Sequence, residues 1–180
     1  SDPALSKGAA STNVSVFYNP AMKFNRDVTL LLLQALKQNK IRVALPLAAS
    51  GVRAIRILKE LPSSIIEHVS CNDNSQEAYD KMQELFALNK IQKKKITVTK
   101  KDADLFFEES LGFEYIDIDP FGSPRSFLPA AIKRLSRGGI LAVTATDTSA
   151  LTGTYLRTTR RKYWSCSMKN ELMHELSVRI

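Results

Sequence analysis

Phe113-Glu114-Tyr115-Ile116-Asp117-Ile118 runs directly into Asp119-Pro120-Phe121-Gly122-Ser123-Pro124. The join between these two stretches decides how the rest of the chain is read. The first six residues are apolar enough for a buried strand. Asp119 then stands at the strand's mouth, followed by a proline and an aromatic. Its carboxylate accepts N–H hydrogen bonds, Pro120 offers a carbonyl without a competing donor, and Phe121 presents a ring face to a base. A flat, amine-bearing ring fits such a set, and methyl transfer to an amino nitrogen of a nucleobase is the chemistry it suits.

Working outward, short apolar runs alternate with helical periodicity. Strands are expected at 42–47, 67–72, 95–99, 113–118 and 139–145. A helix beginning at about Asn25 has Asp27 in its first turn and Val28, Leu31, Leu32 and Ala35 along one side. Ala78, Met82, Leu85, Phe86 and Asn89 mark a second helix. Phe127, Ala131, Ile132 and Leu135 mark a third, stopping at Gly138-Gly139. Strand–helix alternation of this kind implies an α/β fold, a mostly parallel, doubly wound sheet covered on both faces, with ligands beyond the carboxyl ends of the strands. Residues 1–15, rich in Ser, Ala, Gly, Pro and Asn, read as a flexible lead-in, and 16–180 as one folded domain. The chain stops inside a helical pattern with Leu172, Met173, Leu176 and Ile180 on one side, which reads as a piece of a longer protein.

A chain of 180 residues with 44% hydrophobic content can bury a core. No apolar run approaches the roughly 20 residues of a membrane-spanning helix, and residues 30–33 are too short and too interior for a secretion signal. Lys and Arg number 26 against 18 Asp and Glu, a net charge of +8. That balance suits a polyanion such as nucleic acid, or simply a soluble basic surface. Cys71 and Cys166 lie far apart, and with His68 and His174 they lack the spacing of a zinc site. No metal is expected, and a reduced, intracellular setting fits.

Asp119 is the third acidic residue placed at a strand end. The first strand leads into Leu47-Ala48-Ala49-Ser50-Gly51-Val52-Arg53, where small residues let the backbone approach a ligand and the next helix offers free N–H groups. This is not G-x-G-x-x-G, and a plain tight turn is the other reading of Gly51. Arg53 or Arg56 can pair with a ligand carboxylate or remain solvated. Asp73, about 20 residues past the glycine, is placed to accept ribose hydroxyls or to cap the next helix, and both can hold. Asp102 can accept an adenine amino group beside the small Ala103, or act as a cap. Lys93-Lys94-Lys95 reads as a solvated turn. Arg157, Arg160 and Arg161 share a helix face as phosphate contacts or surface charge. Tyr163 and Trp164 read as core or interface packing, and His174 beside Glu175 as structural.

Several segments resemble one family. Phe17-Tyr18-Asn19-Pro20-Ala21-Met22-Lys23-Phe24-Asn25-Arg26-Asp27 is similar to the F-Y-N-P-x-M-x-x-N-R-D opening of the tRNA guanine-26 N2-dimethyltransferases. Residues 48–56 resemble that family's cofactor turn, and 119–124 match its D-P-F-G-S-P. Thr144-Ala145-Thr146-Asp147, Arg161-Lys162-Tyr163 and His174-Glu175 resemble later segments. The likeness runs from 17 to 180. It implies a class I S-adenosylmethionine-dependent methyltransferase of Rossmann-like form acting on tRNA, with S-adenosyl-L-methionine as cofactor. Arg26, Arg53 or Arg56, Asp73, Asp102 and Ala103 would bind the cofactor, Asp119 would hold the target amine, and Phe17 and Phe121 would sandwich the guanine. The general amino-methyltransferase signature has two prolines before its aromatic. Here Phe121 takes the place of the second and Gly122 that of the aromatic, which agrees with the tRNA family and disfavours enzymes acting on DNA. The family also carries a C-terminal domain that helps to grip tRNA. By this resemblance the protein is intracellular, cytoplasmic in a prokaryote and nuclear or mitochondrial in a eukaryote. The alternatives are another nucleic-acid amino-methyltransferase and a non-catalytic basic RNA-binding module that keeps the fold.

Overall fold

The computed structural model describes residues 16, 18–36 and 38–180. The lead-in 1–15 and Phe17 therefore lie outside the described residues. Five parallel strands form one sheet: β1 (Ile41–Leu45), β2 (Ile66–Asn72), β3 (Ile96–Thr99), β4 (Phe113–Ile118) and β5 (Leu135–Val143). Their spatial order is β3-β2-β1-β4-β5. The chain builds outward from β1 in one direction, then crosses back to lay β4 on its other side. The reversal opens a crevice between the carboxyl ends of β1 and β4, where ligands of doubly wound sheets bind.

Alternation along the strands sends side chains to two cores. Ile41, Val43, Leu45, Val69 and Tyr115 pack with Leu30 and Leu33 of α1 (Lys23–Ala35), Ile57 of α2 (Val52–Glu60), and Met82 and Phe86 of α3 (Gln76–Leu88). Ala44, Ile116 and Ile118 point the other way, against Phe106 and Phe107 of α4 (Ala103–Glu108) and Ala131 of α5 (Leu128–Arg134). Three short helices follow β5: α6 (Thr148–Leu151), α7 (Leu156–Tyr163) and α8 (Met173–Val178). Lys93-Lys94-Lys95 forms one 3-10 turn before β3.

Two expectations change. The first helix buries Arg26, Thr29, Leu30 and Leu33 rather than the side carrying Val28, Leu31, Leu32 and Ala35; Val28 and Leu31 are exposed. Four consecutive leucines are apolar on every side, so periodicity cannot choose the buried face. The polar partners choose it, because Arg26 and Thr29 find hydrogen bonds inside. The third helix ends at Arg134, not at Gly138-Gly139, and Leu135 already pairs with Phe113 in the sheet. Arg134 donates to the carbonyls of Phe107 and Glu108 and pins the helix end there. Gly138, at φ +76°, lies within a register shift between Leu135 and Ile140.

Candidate active site

The ends of β1, β2 and β3 are tied together by two adjacent residues of β2 and its exit. Asn72 is fully buried. Its amide donates to the carbonyls of Pro46 (3.1 Å) and Lys101 (2.9 Å), and its oxygen accepts from the Lys101 N–H (3.0 Å) and Thr99 Oγ1 (2.8 Å). One side chain thereby spans the loops after all three strands. Asp73 adds the next tie. Its Oδ2 accepts the Ala49 N–H at 2.9 Å, and its Oδ1 accepts from Ser75 at 3.0 Å. Ser75 is the cap of α3, its hydroxyl accepting from the Ala78 N–H. Asp102 caps α4 through Oδ1, which accepts from the Asp104 N–H at 2.8 Å, and Ala103 is buried behind it.

Gly51 adopts φ +70° as the residue before α2. A Cβ there would stand 2.7 Å from Phe86 Cζ and 2.9 Å from Met82 Cγ. Glycine is thus required by its backbone conformation and by α3 packing underneath.

The end of β4 is held differently. Tyr115, Asp117 and Asp119 alternate along one line of the strand and its exit, facing α1 and α2. Arg53, in the first turn of α2, reaches across to them. Its Nε lies 3.1 Å from Asp117 Oδ2, its Nη1 donates to Thr29 Oγ1 at 2.7 Å, and its Nη2 donates to Asn25 Oδ1 at 2.7 Å and Asp119 Oδ2 at 3.1 Å. Tyr115 Oη donates to Asp117 Oδ2 at 3.2 Å. Burial pushes the Asp117 carboxyl up to about 6, against the opposing pull of Arg53, with the Asp119 charge adding to the rise. A pocket of about 100 Å³ opens beside the cluster, lined by Asn25, Thr29, Tyr115, Asp117 and Thr144 among others. A larger hollow of about 180 Å³ lies among Leu58, Leu61, Ile66, Ile91 and Lys95, at the opposite ends of β2 and β3, and holds none of the site residues.

The turn after Asp119 is fixed from the far side. Gly122, at φ +84°, donates its N–H to Thr146 Oγ1 (2.6 Å), and the Thr146 N–H returns a bond to the Gly122 carbonyl (3.0 Å). Ser123 shares a 2.7 Å hydrogen bond with Tyr163, whose hydroxyl donates to Asp147 at 2.8 Å, while Lys162 pairs with Asp147 at 3.2 Å. The segments 144–147 and 161–163 therefore meet the D-P-F-G-S-P turn directly. Pro120 is buried and Phe121 is 73% exposed at the turn's tip.

Other sequence-predicted residues fall as follows. Arg26 is buried, donates to the Asn19 carbonyl and Tyr18 Oη, and stacks on the Tyr18 ring. Its neighbour Asn25 touches the Arg53 cluster. Arg56 is occupied elsewhere, by Asp27 at 2.6 Å and Glu60 at 2.6 Å. Arg157, Arg160 and Arg161 are exposed on α7. Trp164 is not core: it is 83% exposed, with the Arg125 guanidinium 4.7 Å above its ring. Asn72, Asp117, Asn25 and Thr29 were not singled out from sequence. A carboxylate in mid-strand among Tyr, Ile and Ile was the available signal for Asp117, because a charge buried there needs a partner.

A parallel sheet in the order β3-β2-β1-β4-β5, with acidic residues at the exits of β2, β3 and β4 around the crevice, has the fold of the class I S-adenosylmethionine-dependent methyltransferases. The profile of the N2,N2-dimethylguanosine tRNA methyltransferases matches residues 4–180, and the chain belongs to that family. It is 42% identical to the tRNA (guanine(26)-N(2)/guanine(27)-N(2))-dimethyltransferase of Aquifex aeolicus, covering 94% of this chain and 44% of that protein. It is 40% identical to the tRNA (guanine(26)-N(2))-dimethyltransferase of Methanothermobacter thermautotrophicus, covering 99% and 46%. Among solved structures it is similar to Trm1 from Pyrococcus horikoshii in complex with S-adenosyl-L-methionine, with a TM-score of 0.86 and 37% identity over 93% of this chain and 48% of that one. The chain spans about half the length of the relatives it matches. Among the described residues, no group of three or more His, Cys, Asp or Glu is placed to hold a metal ion, and no helix is long and apolar enough to cross a membrane.

Proposed function

We propose that this chain is the catalytic part of an S-adenosyl-L-methionine-dependent enzyme that methylates the exocyclic N2 of guanine 26 in tRNA, first to the monomethyl and then to the dimethyl product. The observation that carries this is Asp119. It is an acidic side chain at the exit of β4, on the crevice between β1 and β4, inside the family's D-P-F-G-S-P turn.

The donor set suits the cofactor. Asp73 and Asp102 each accept backbone N–H bonds, yet a carboxylate offers about four lone-pair sites, so both retain acceptors for the ribose hydroxyls and the adenine amine. Ala103 leaves room for the ring, and Arg26 is the buried cation beside the entrance of α1. When bound, the cofactor supplies an electrophilic methyl group. The remaining work falls to this chain's residues. The N2 amine of guanine is a weak nucleophile because its lone pair delocalises into the ring. Asp119 accepts one of its N–H bonds and the Pro120 carbonyl another, favouring a pyramidal nitrogen and the positive charge that develops there. Water can take the released proton. Phe121, with Phe17 on the opposite face, stacks the extruded base. Extrusion costs a few kcal/mol, and stacking returns about 1–3 kcal/mol per base contact. The open space beside Gly122 accommodates a rotated, already methylated amine. The basic surface and a further, tRNA-gripping domain hold the rest of the substrate, and acting on tRNA sets the protein inside the cell.

The test is mass analysis of tRNA nucleosides after incubation with full-length protein and cofactor. N2-methylated guanosine should accumulate. Asp119→Ala should lower single-turnover methyl transfer by about 10²–10³-fold, the range for losing one preorganised electrostatic partner, while cofactor affinity stays nearly intact. A near wild-type rate in Asp119→Ala, or loss of activity only through loss of cofactor, refutes the role given to this strand exit.

A further inference from the structure

We infer that Trp164 and Arg125 form a second stacking platform beside the target-base turn, on which a further nucleotide of the tRNA rests while Arg157 and Arg161 meet backbone phosphates. The inference rests on the functional reading above and deepens it by naming the face of this chain that the RNA crosses.

Trp164 breaks two rules at once. An indole has one of the largest apolar surfaces a side chain can bury, yet this residue is 83% exposed. It also caps α7 with φ +53° and ψ +27°, in the left-handed region that bulky side chains avoid and that glycine fills at helix ends. Backbone strain and an exposed apolar ring both disfavour the free domain. A surface residue that carries both points to something the ring meets outside the described chain.

The ring is prepared on one side. The Arg125 guanidinium lies 4.7 Å from its centroid. Most of the residue stays accessible all the same, which leaves the opposite face to a flat group. The pair is also fixed in place. Ser123 Oγ shares a 2.7 Å hydrogen bond with Tyr163 Oη, and Tyr163 bonds Asp147 in turn. Arg125 and Trp164 follow these two partners along the chain and are thereby set side by side. Ser123 belongs to the turn that presents Phe121, so the platform is tied to the place where the target base is stacked. Arg125 follows Phe121 by four residues, at most about 14 Å of chain.

Charge selects RNA as the occupant. Arg157, Arg160 and Arg161 share a face of α7, at whose end Trp164 stands. Arg160 donates to Cys166 Sγ at 3.4 Å. Arg125, Arg157 and Arg161 are exposed and make no ion pair among the described residues. The nearby Asp147 is taken by Lys162 and Tyr163. An exposed ring among unpaired guanidiniums is the combination a single strand of nucleic acid uses, its bases stacking and its phosphates pairing with arginine.

The test uses full-length protein, equilibrium tRNA binding without turnover, a cofactor titration and thermal denaturation. Trp164→Gly should weaken tRNA binding about 5- to 150-fold, the range for one lost base–aromatic stack. The cofactor Kd should stay unchanged, and the denaturation midpoint should hold or rise, because glycine relieves the left-handed backbone. Trp164→Phe keeps a ring face and should recover much of the affinity. Arg157→Ala and Arg161→Ala should each lower the slope of log affinity against log salt by about 1. Unchanged tRNA affinity in Trp164→Gly overturns the inference. A clear fall of its midpoint overturns it too, since the ring would then be packing against another part of the protein. Wild-type protein that binds tRNA through Trp164 yet methylates no guanine overturns the functional reading alone.

Discussion

The exits of β2 and β3 hold their carboxylates with backbone amides, whereas the exit of β4 holds its carboxylate with a guanidinium. Asp73 accepts from Ala49 and Ser75, and Asp102 from Asp104. The bonds from Ser75 and Asp104 are local, made as the chain turns from strand into helix, while the bond from Ala49 comes from the turn after β1, 24 residues earlier. Asp119 accepts from Arg53, 66 residues earlier in the chain. The first arrangement gives acceptors held by backbone N–H groups, which under the proposed function would serve a cofactor bound in the same way every cycle. The second leaves a half-buried carboxylate, 30% accessible, whose orientation depends on a packed side chain. Under the proposed function, the difference would suit a carboxylate that meets a base brought in from outside.

Three substitutions sharpen or break this contrast. The largest effect on the folded domain is expected from Gly51→Ala, which touches both halves by displacing the start of α2. Its Cβ would stand under 3 Å from Phe86 and Met82, and alanine is disfavoured at φ +70°. A loss of about 2–4 kcal/mol is expected from overpacking together with left-handed strain, read as a lowered denaturation midpoint. An unchanged midpoint would mean that α3 yields easily and that the turn is not rigid. Next is Asp73→Ala, on the backbone-held side. Cofactor binding by calorimetry should weaken by about 1.5–3 kcal/mol, the range for hydrogen bonds to a charged group, with methyl transfer recovering at high cofactor. Equal affinity in the variant would remove Asp73 from the cofactor site and leave it as a tie to the Ala49 turn.

The smallest change is one of slope and probes the guanidinium-held side. Asp117 faces Arg53 from α2 and Tyr115 and Asp119 from β4, while α1 contributes the neutral Asn25 and Thr29 around the same guanidinium. Its folded pKa is raised from 3.8 to about 6, with burial the main cause. The folded state therefore holds a proton in a range where the unfolded chain has released it. This stabilising contribution is full below about pH 4 and is lost as the pH rises through about 6. Asp117→Asn should flatten the stability–pH curve across that window, measured by denaturant unfolding at stepped pH. A curve as steep as wild type would assign the slope to another group.

Much of the fold could be read from local signals. The five strand positions were readable because alternating apolar runs and helical stretches each bury a face. Asp102 as a cap could be read because only residues 100–102 separate the strand end from the helix start. The buried face of α1 could not, since the leucines at 30–33 satisfy any orientation and the choice fell to Arg26 and Thr29. The role of Gly138-Gly139 was equally hidden, because glycine serves a helix stop and a sheet irregularity alike. Within the site, Asp119 was conspicuous beside Pro120 and Phe121. Asn72 was not: a buried amide is useful only when three loops converge on it, and no spacing in the chain announces that convergence.

What the sequence determined alone was therefore the alternation that makes a parallel sheet, the order of acidic residues at its exits, and the turn that follows Asp119. Each depends on residues within one or two elements, where periodicity and backbone preference act. Only the tertiary structure decided which arginine meets Asp119. Arg53 and Arg56 lie three residues apart on one helix, each a cation by an acidic neighbour. Packing against β4 and α1 turned one toward Asn25, Thr29, Asp117 and Asp119 and left the other to Asp27 and Glu60. That outcome depends on how α2 lies across the sheet, and the hydrophobic cores on both faces fix that placement.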